Sequence, residues 1–204
     1  MNEMDDMERM KEKNLKKWIW QAGALLLAPL TAVWLMQLAY GAAPWSLSPT
    51  AALANALCIA LLYWPLCGLT GRIAPCCIGI HLAAGLWGAA NYFVNAFRGT
   101  PILPWDLSAL GTAAAVAGNY RFVPTLSMLG ALALIVALGV FLLRKKNRAM
   151  LSMSREQWGV RLACVGTGLL CLALLLPTQK LGNLDVKTDV WDQAGSYQTG
   201  GCLA

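Results

Sequence analysis

The residues able to do chemistry are few, and most lie between positions 81 and 121. His81, Asn91, Tyr92 and Asn95 recur at helical spacing, and at about 100° per residue they share one stripe with Ala84 and Gly88. Inside an apolar run such a stripe has two uses. Small residues admit a second helix at close range and amides hydrogen-bond across the contact. Alternatively, because polar groups in lipid are costly, the stripe lines a cavity for a lipid headgroup or an ion. Spacing alone leaves both open. Just beyond it, Arg98, Asp106 and Arg121 bracket the stretch Gly99-Thr100-Pro101-Ile102-Leu103-Pro104-Trp105. A guanidinium there can fork onto a phosphate or pair with the Asp106 carboxylate, which makes these three the lipid-headgroup candidates. No catalytic set accompanies them: there is no Ser/His/Asp arrangement, no paired acids, no Walker loop and no CxxC site. Neither the single His81 nor the adjacent Cys76-Cys77 has zinc-ligand spacing, so no metal ligand is assigned.

What must position these residues is a bilayer. The chain is 58% hydrophobic and 13% charged, where a soluble domain carries about 25% charged residues. A hydrocarbon core about 30 Å thick needs roughly 20 apolar residues in helical form. Five runs answer that description: 18–40, 50–69, 75–97, 123–143 and 160–176. Pro29 predicts a kink in the first. Ser48 caps the second with Pro49 as its first helical residue, and the brief Gly71-Arg72-Ile73-Ala74 makes an antiparallel hairpin of the second and third. Arg144-Lys145-Lys146 stops the fourth. Ser154 and Gln157 form a capping box ahead of the fifth, whose Arg161 is expected to snorkel to the interface. In the loop 98–124, Asp106 is the expected N-cap of a short interfacial helix over 107–117, with Trp105 and Tyr120 as aromatic anchors. The expected architecture is all-α and polytopic. It comprises a basic N-terminus (1–17), a five-helix transmembrane module (18–177) and a polar stem (178–204).

Loop charge sets the orientation. With the N-terminus inside, 12 of the 16 Lys and Arg are cytoplasmic, and Arg98, Arg121, Lys180 and Lys187 are outside. The positive-inside rule therefore predicts five crossings with the C-terminus outside. The formal charge of +6 is thus topogenic, which removes the main support for nucleic-acid binding. The first run is long for a cleaved signal and is read as an anchor. Cys202 stands third from the end, so the terminus is no prenylation box. The remaining cysteines fall in or beside apolar runs and read as buried thiols.

Asn91-Tyr92-Phe93-Val94, Phe97-Arg98-Gly99-Thr100-Pro101-Ile102-Leu103-Pro104-Trp105-Asp106-Leu107, Gly111-Thr112-Ala113 and Val116-Ala117-Gly118-Asn119-Tyr120 resemble the membrane module of the lipoteichoic acid synthase family. Five crossings and a tail with Trp191-Asp192-Gln193 and Tyr197 are similar too. The resemblance implies a bacterial cell-membrane protein that anchors an extracellular sulfatase-like domain. That domain would transfer phosphoglycerol from phosphatidylglycerol through a threonine nucleophile at a manganese site. The catalytic and manganese-binding positions have no counterpart here, so the expectation is a truncated, lipid-presenting module with no turnover and no cofactor of its own. Its expected partners are membrane lipids, phosphatidylglycerol among them, and a catalytic or envelope protein. The alternative is a non-enzymatic assembly protein that holds another envelope protein through the small-residue face of the third run. A transporter built on the Asn91/Asn95 stripe is disfavoured by the odd span number and the lack of an intramembrane acid. Behind Ala204, a fused reporter enzyme that works only outside the cytosol is expected to be active and one that works only in the cytosol inactive; the reverse pattern would overturn the topology.

Overall fold

The computed structural model describes residues 2–102, 106, 111, 118 and 121–175. The chain is an all-α polytopic membrane protein. Helices α1 (Asn2–Tyr40), α2 (Pro49–Thr70), α3 (Ile73–Arg98) and α4 (Leu126–Leu143) contain the four long apolar segments able to cross a bilayer. The short α5 (Lys145–Met150) and a 3-10 turn (Arg155–Gln157) lead into α6 (Trp158–Leu175), the fifth apolar helix. The interfacial helix expected over 107–117 and the stem 178–204 lie outside the described residues, apart from Gly111.

Local chemistry sets the ends of these helices. Ser48 accepts a hydrogen bond from the Ala51 amide at 3.2 Å, with Pro49 following as N1. Gly71 (φ 67°) ends α2 and Gly99 (φ 76°) ends α3, each donating its amide to the carbonyl four residues back. The boundary expected at residue 18 is absent. α1 is one helix of 39 residues, about 58 Å long and nearly twice the bilayer core. Its cationic stretch is built from good helix formers, and Lys16 pairs with Glu12 one turn earlier, so nothing stops the helix before the apolar run begins.

Contacts between helices fix their directions. Thr31 meets His81 and Met36 meets Gly88, so α1 and α3 run parallel. The chain turns between Tyr40 and Pro49 and α2 then brings Tyr63 and Trp64 back to Ala24 and Leu25, while Ser127 lies by Gly41 and Phe141 stacks on Trp20, so α2 and α4 run antiparallel to α1. Gly68 lies against Arg161 and Gly168 against Pro65, which makes α6 antiparallel to α2. The expected hairpin is present only as a reversal of direction. α3 packs chiefly along α1, and α2 divides its surface between α1 and α6. Alternation gathers the cations of α1, Arg72, Arg144 and Arg161 at one end, here called the basic end, and leaves Arg98 and Arg121 at the other.

Pro29 shows what holds α1 to α2. Lacking an N–H, it leaves the Leu25 carbonyl without its helical donor. The Trp64 indole Nε1 donates to that carbonyl at 2.9 Å, and the Tyr63 hydroxyl donates to the neighbouring Ala24 carbonyl at 3.1 Å. At the basic end Arg161 does not snorkel. Its Nε donates to the Gly68 carbonyl at 2.7 Å and its Nη2 to the Leu69 carbonyl at 2.6 Å, capping the C-terminus of α2. The Ser154 amide donates to Gln157 Oε1 at 2.9 Å, as a capping box requires, and Gln157 and Ser152 together satisfy the buried Gln21.

Trp64→Phe removes the donor to Leu25 and is expected to lower stability in detergent by about 1 kcal/mol. In a Pro29→Ala background, where the helix supplies that donor itself, the loss should shrink toward zero. Equal losses in both backgrounds, measured as a double-mutant cycle, would refute the pairing.

Candidate functional site

The α3 stripe is laid against α1 along its length. At its lower part His81 is 4% exposed; its Nδ1 lies 2.8 Å from the Cys77 carbonyl and its Nε2 3.0 Å from Thr31 Oγ1. Cys77 Sγ is 3.7 Å from the same ring, a neighbour one turn away that the sequence reading passed over. Among the described residues no group of three or more His, Cys, Asp or Glu could hold a metal ion. Gly88 is the point of closest approach, since a Cβ there would stand 2.2 Å from the Met36 carbonyl oxygen. The face that could have received an outside helix is therefore covered by α1. Tyr92 rests beside Gly41 in the loop after α1 and meets Phe93 edge-on, with ring centroids 5.5 Å apart.

Toward the far end of the stripe the polar residues turn from packing to holding a loop. Asn91 is fully buried; its Nδ2 donates to the Trp87 carbonyl at 2.9 Å and its Oδ1 accepts the Ile102 amide at 3.0 Å. One amide thus ties α3 to the chain that leaves it, across the buried Pro101. Asn95, one turn on, has a buried Oδ1 with no hydrogen-bond partner among the described residues.

Arg98 closes the same loop from the other side. Its Nη1 and Nη2 donate to the two carboxylate oxygens of Asp106 at 2.8 and 2.6 Å, its Nε donates to Thr100 Oγ1 at 2.8 Å, and Nη2 also reaches the Pro101 carbonyl at 2.6 Å. The side chains of Arg98 and Asp106 remain 43% and 22% exposed, so solvent weakens the Coulomb attraction and the pair acts mainly through its geometry. The bidentate face that could have forked onto a phosphate is occupied by Asp106. Arg121 is exposed. Next to it, Phe122 packs edge-on against Phe93 and Phe97 at 5.1 and 5.4 Å between centroids, bringing the start of the α4 segment back to the end of α3. Of the three headgroup candidates, the structure joins Arg98 to Asp106 and leaves Arg121 as the cation facing out.

Sequence reasoning missed Gln21, Gln37 and Asn55, all buried, and Trp64 as partner of the Pro29 break. Gln21 meets Ser152 and Gln157, and Trp64 meets Leu25, partners far away in the chain, while Asn55 turns back to the Ala51 carbonyl of its own helix; only Pro29, with its absent donor, carried a signal in the sequence.

Asp106→Asn keeps the size of the side chain and removes its charge. It should weaken the clamp and raise hydrogen exchange of the Ile102 amide by about tenfold, equivalent to about 1.4 kcal/mol of local opening; unchanged protection would separate the clamp from the loop. No family model, curated protein or solved structure matches this chain.

Proposed function

We propose that this chain is the membrane-anchoring and lipid-presenting module of a phosphoglycerol transferase of the lipoteichoic acid synthase type. In this reading it lies in a bacterial cell membrane, with the basic end cytoplasmic and the 98–121 stretch on the outer face. The observation that carries it is the Arg98–Asp106 clamp, together with the Asn91 tie to Ile102. Both fall in the stretch that resembles that family, and both give the far end of α3 a fixed shape, where this reading puts the lipid phosphates.

Each residue then has a part in binding and orientation. Arg98 neutralises Asp106, so the loop does not repel an approaching phosphate. Arg121, exposed beside the Phe93/Phe97/Phe122 cluster, supplies the cation that meets it. The phosphoglycerol transfer itself belongs to a sulfatase-like domain. Tethering that domain to this platform confines enzyme and lipid to one surface and raises their effective concentration.

A photoactivatable phosphatidylglycerol, mixed with the purified chain and mapped by peptide sequencing, is expected to label the segment around Phe97–Ile102 and Arg121–Phe122. Arg121→Gln should reduce that labelling severalfold. Equal labelling by a photoactivatable phosphatidylcholine, or labelling unaffected by Arg121→Gln, would sink the reading.

A further inference from the structure

At the basic end, away from the 98–121 platform, α1, α3 and α4 leave an open apolar cleft of about 370 Å³. Its walls include Trp20, Gly23 and Leu27 of α1, His81 of α3, and Leu138 and Phe141 of α4. It extends along α1 from Trp20 to Thr31, about 16 Å at the helical rise. Gly23 gives the cleft its width: a Cβ at that position would meet nothing within 4 Å. At the opposite end of the cleft His81 and Thr31 satisfy one another, so the cavity presents almost no unpaired polar surface.

Cations lie on α1 and at the end of α4 beyond the Trp20 end of the cleft. At 100° per residue, Lys13 lies on the same face of α1 as Trp20, Gly23 and Leu27, and Lys17 flanks that face. Trp20 stacks on Phe141 with centroids 5.8 Å apart, and the two helices are antiparallel, so Arg144 comes level with Lys17. Lys16 shares this face but is already paired with Glu12. An acyl chain gains nothing by leaving lipid for an apolar groove, because the two surroundings are equally apolar. Selection must therefore come from the headgroup. Three cations beyond one end of a chain-sized groove favour an anionic phosphate over a zwitterionic one.

We propose that the basic end holds one anionic phospholipid, with an acyl chain in the α1/α3/α4 cleft and its phosphate among Lys13, Lys17 and Arg144. This lipid belongs to the leaflet opposite the 98–121 platform, and its binding does not depend on the function proposed above. It braces α4, the least buried of the long helices, against α1.

The full chain, purified in mild detergent and incubated with an equimolar mixture of phosphatidylglycerol and phosphatidylcholine, is measured by native mass spectrometry. One phosphatidylglycerol is expected to stay bound in clear excess over phosphatidylcholine. Gly23→Phe places a ring in the cleft and should abolish that retention. Gly79→Phe, the same change at an α3 position that also has open space, should leave it intact and serves as the folding control. Changing Lys13, Lys17 and Arg144 to Gln one at a time should weaken retention about fivefold for each cation removed. Retention by folded Gly23→Phe equal to that of the native chain would overturn the proposal. So would equal retention of the two lipids, or indifference to all three charge changes.

Discussion

Within the hydrocarbon core, a backbone carbonyl or amide without a partner cannot turn to water, and the architecture follows from that constraint. Helices satisfy it everywhere except at their ends and at prolines, and those are the places where side chains from neighbouring helices intervene. Trp64 and Tyr63 serve the carbonyls around the Pro29 break, Arg161 serves the end of α2, and Gly71 and Gly99 close their own helices. These bonds are also what specify which helix lies beside which. In lipid there is no hydrophobic force to sort one apolar surface from another, so close packing and unmet hydrogen bonds do the sorting.

That explains why α1 is the hub. It carries Pro29, the buried Gln21 and Gln37, and the Met36 carbonyl that Gly88 allows α3 to approach. α2 and α3 are joined by a very short turn, yet each makes its larger contact elsewhere. Gly88 brings α3 onto α1, and Gly68 and Gly168 bring α2 and α6 together. Sequence adjacency supplied only the reversal of direction.

The two ends of the bundle use charge in opposite ways. At the basic end many cations stand near an open cleft, and only Arg161 among the described ones is tied to backbone carbonyls. At the other end cations are few, and one of them, Arg98, is committed to shaping a loop through Asp106, Thr100 and Pro101. A guanidinium suits that task because its planar fork fixes several acceptors at once.

The amino-acid order by itself determined the class of the protein, the number and approximate limits of its apolar helices, the Ser48 cap, the short turn at Gly71, and the α3 stripe. These rest on composition, helical periodicity and contacts a few residues apart. It also offered Arg98 two partners, a phosphate or Asp106, without choosing between them. Tertiary structure made that choice, set Arg161 on the end of α2 instead of the interface, and covered the Gly88 face with α1. The second and third depend on pairs far apart in the chain, and the first on the fold of a loop eight residues long, and periodicity holds no information about either. The unbroken course of α1 is local instead: no stop signal separates its charged and apolar turns, so hydropathy marks a change of environment while the backbone continues as one helix.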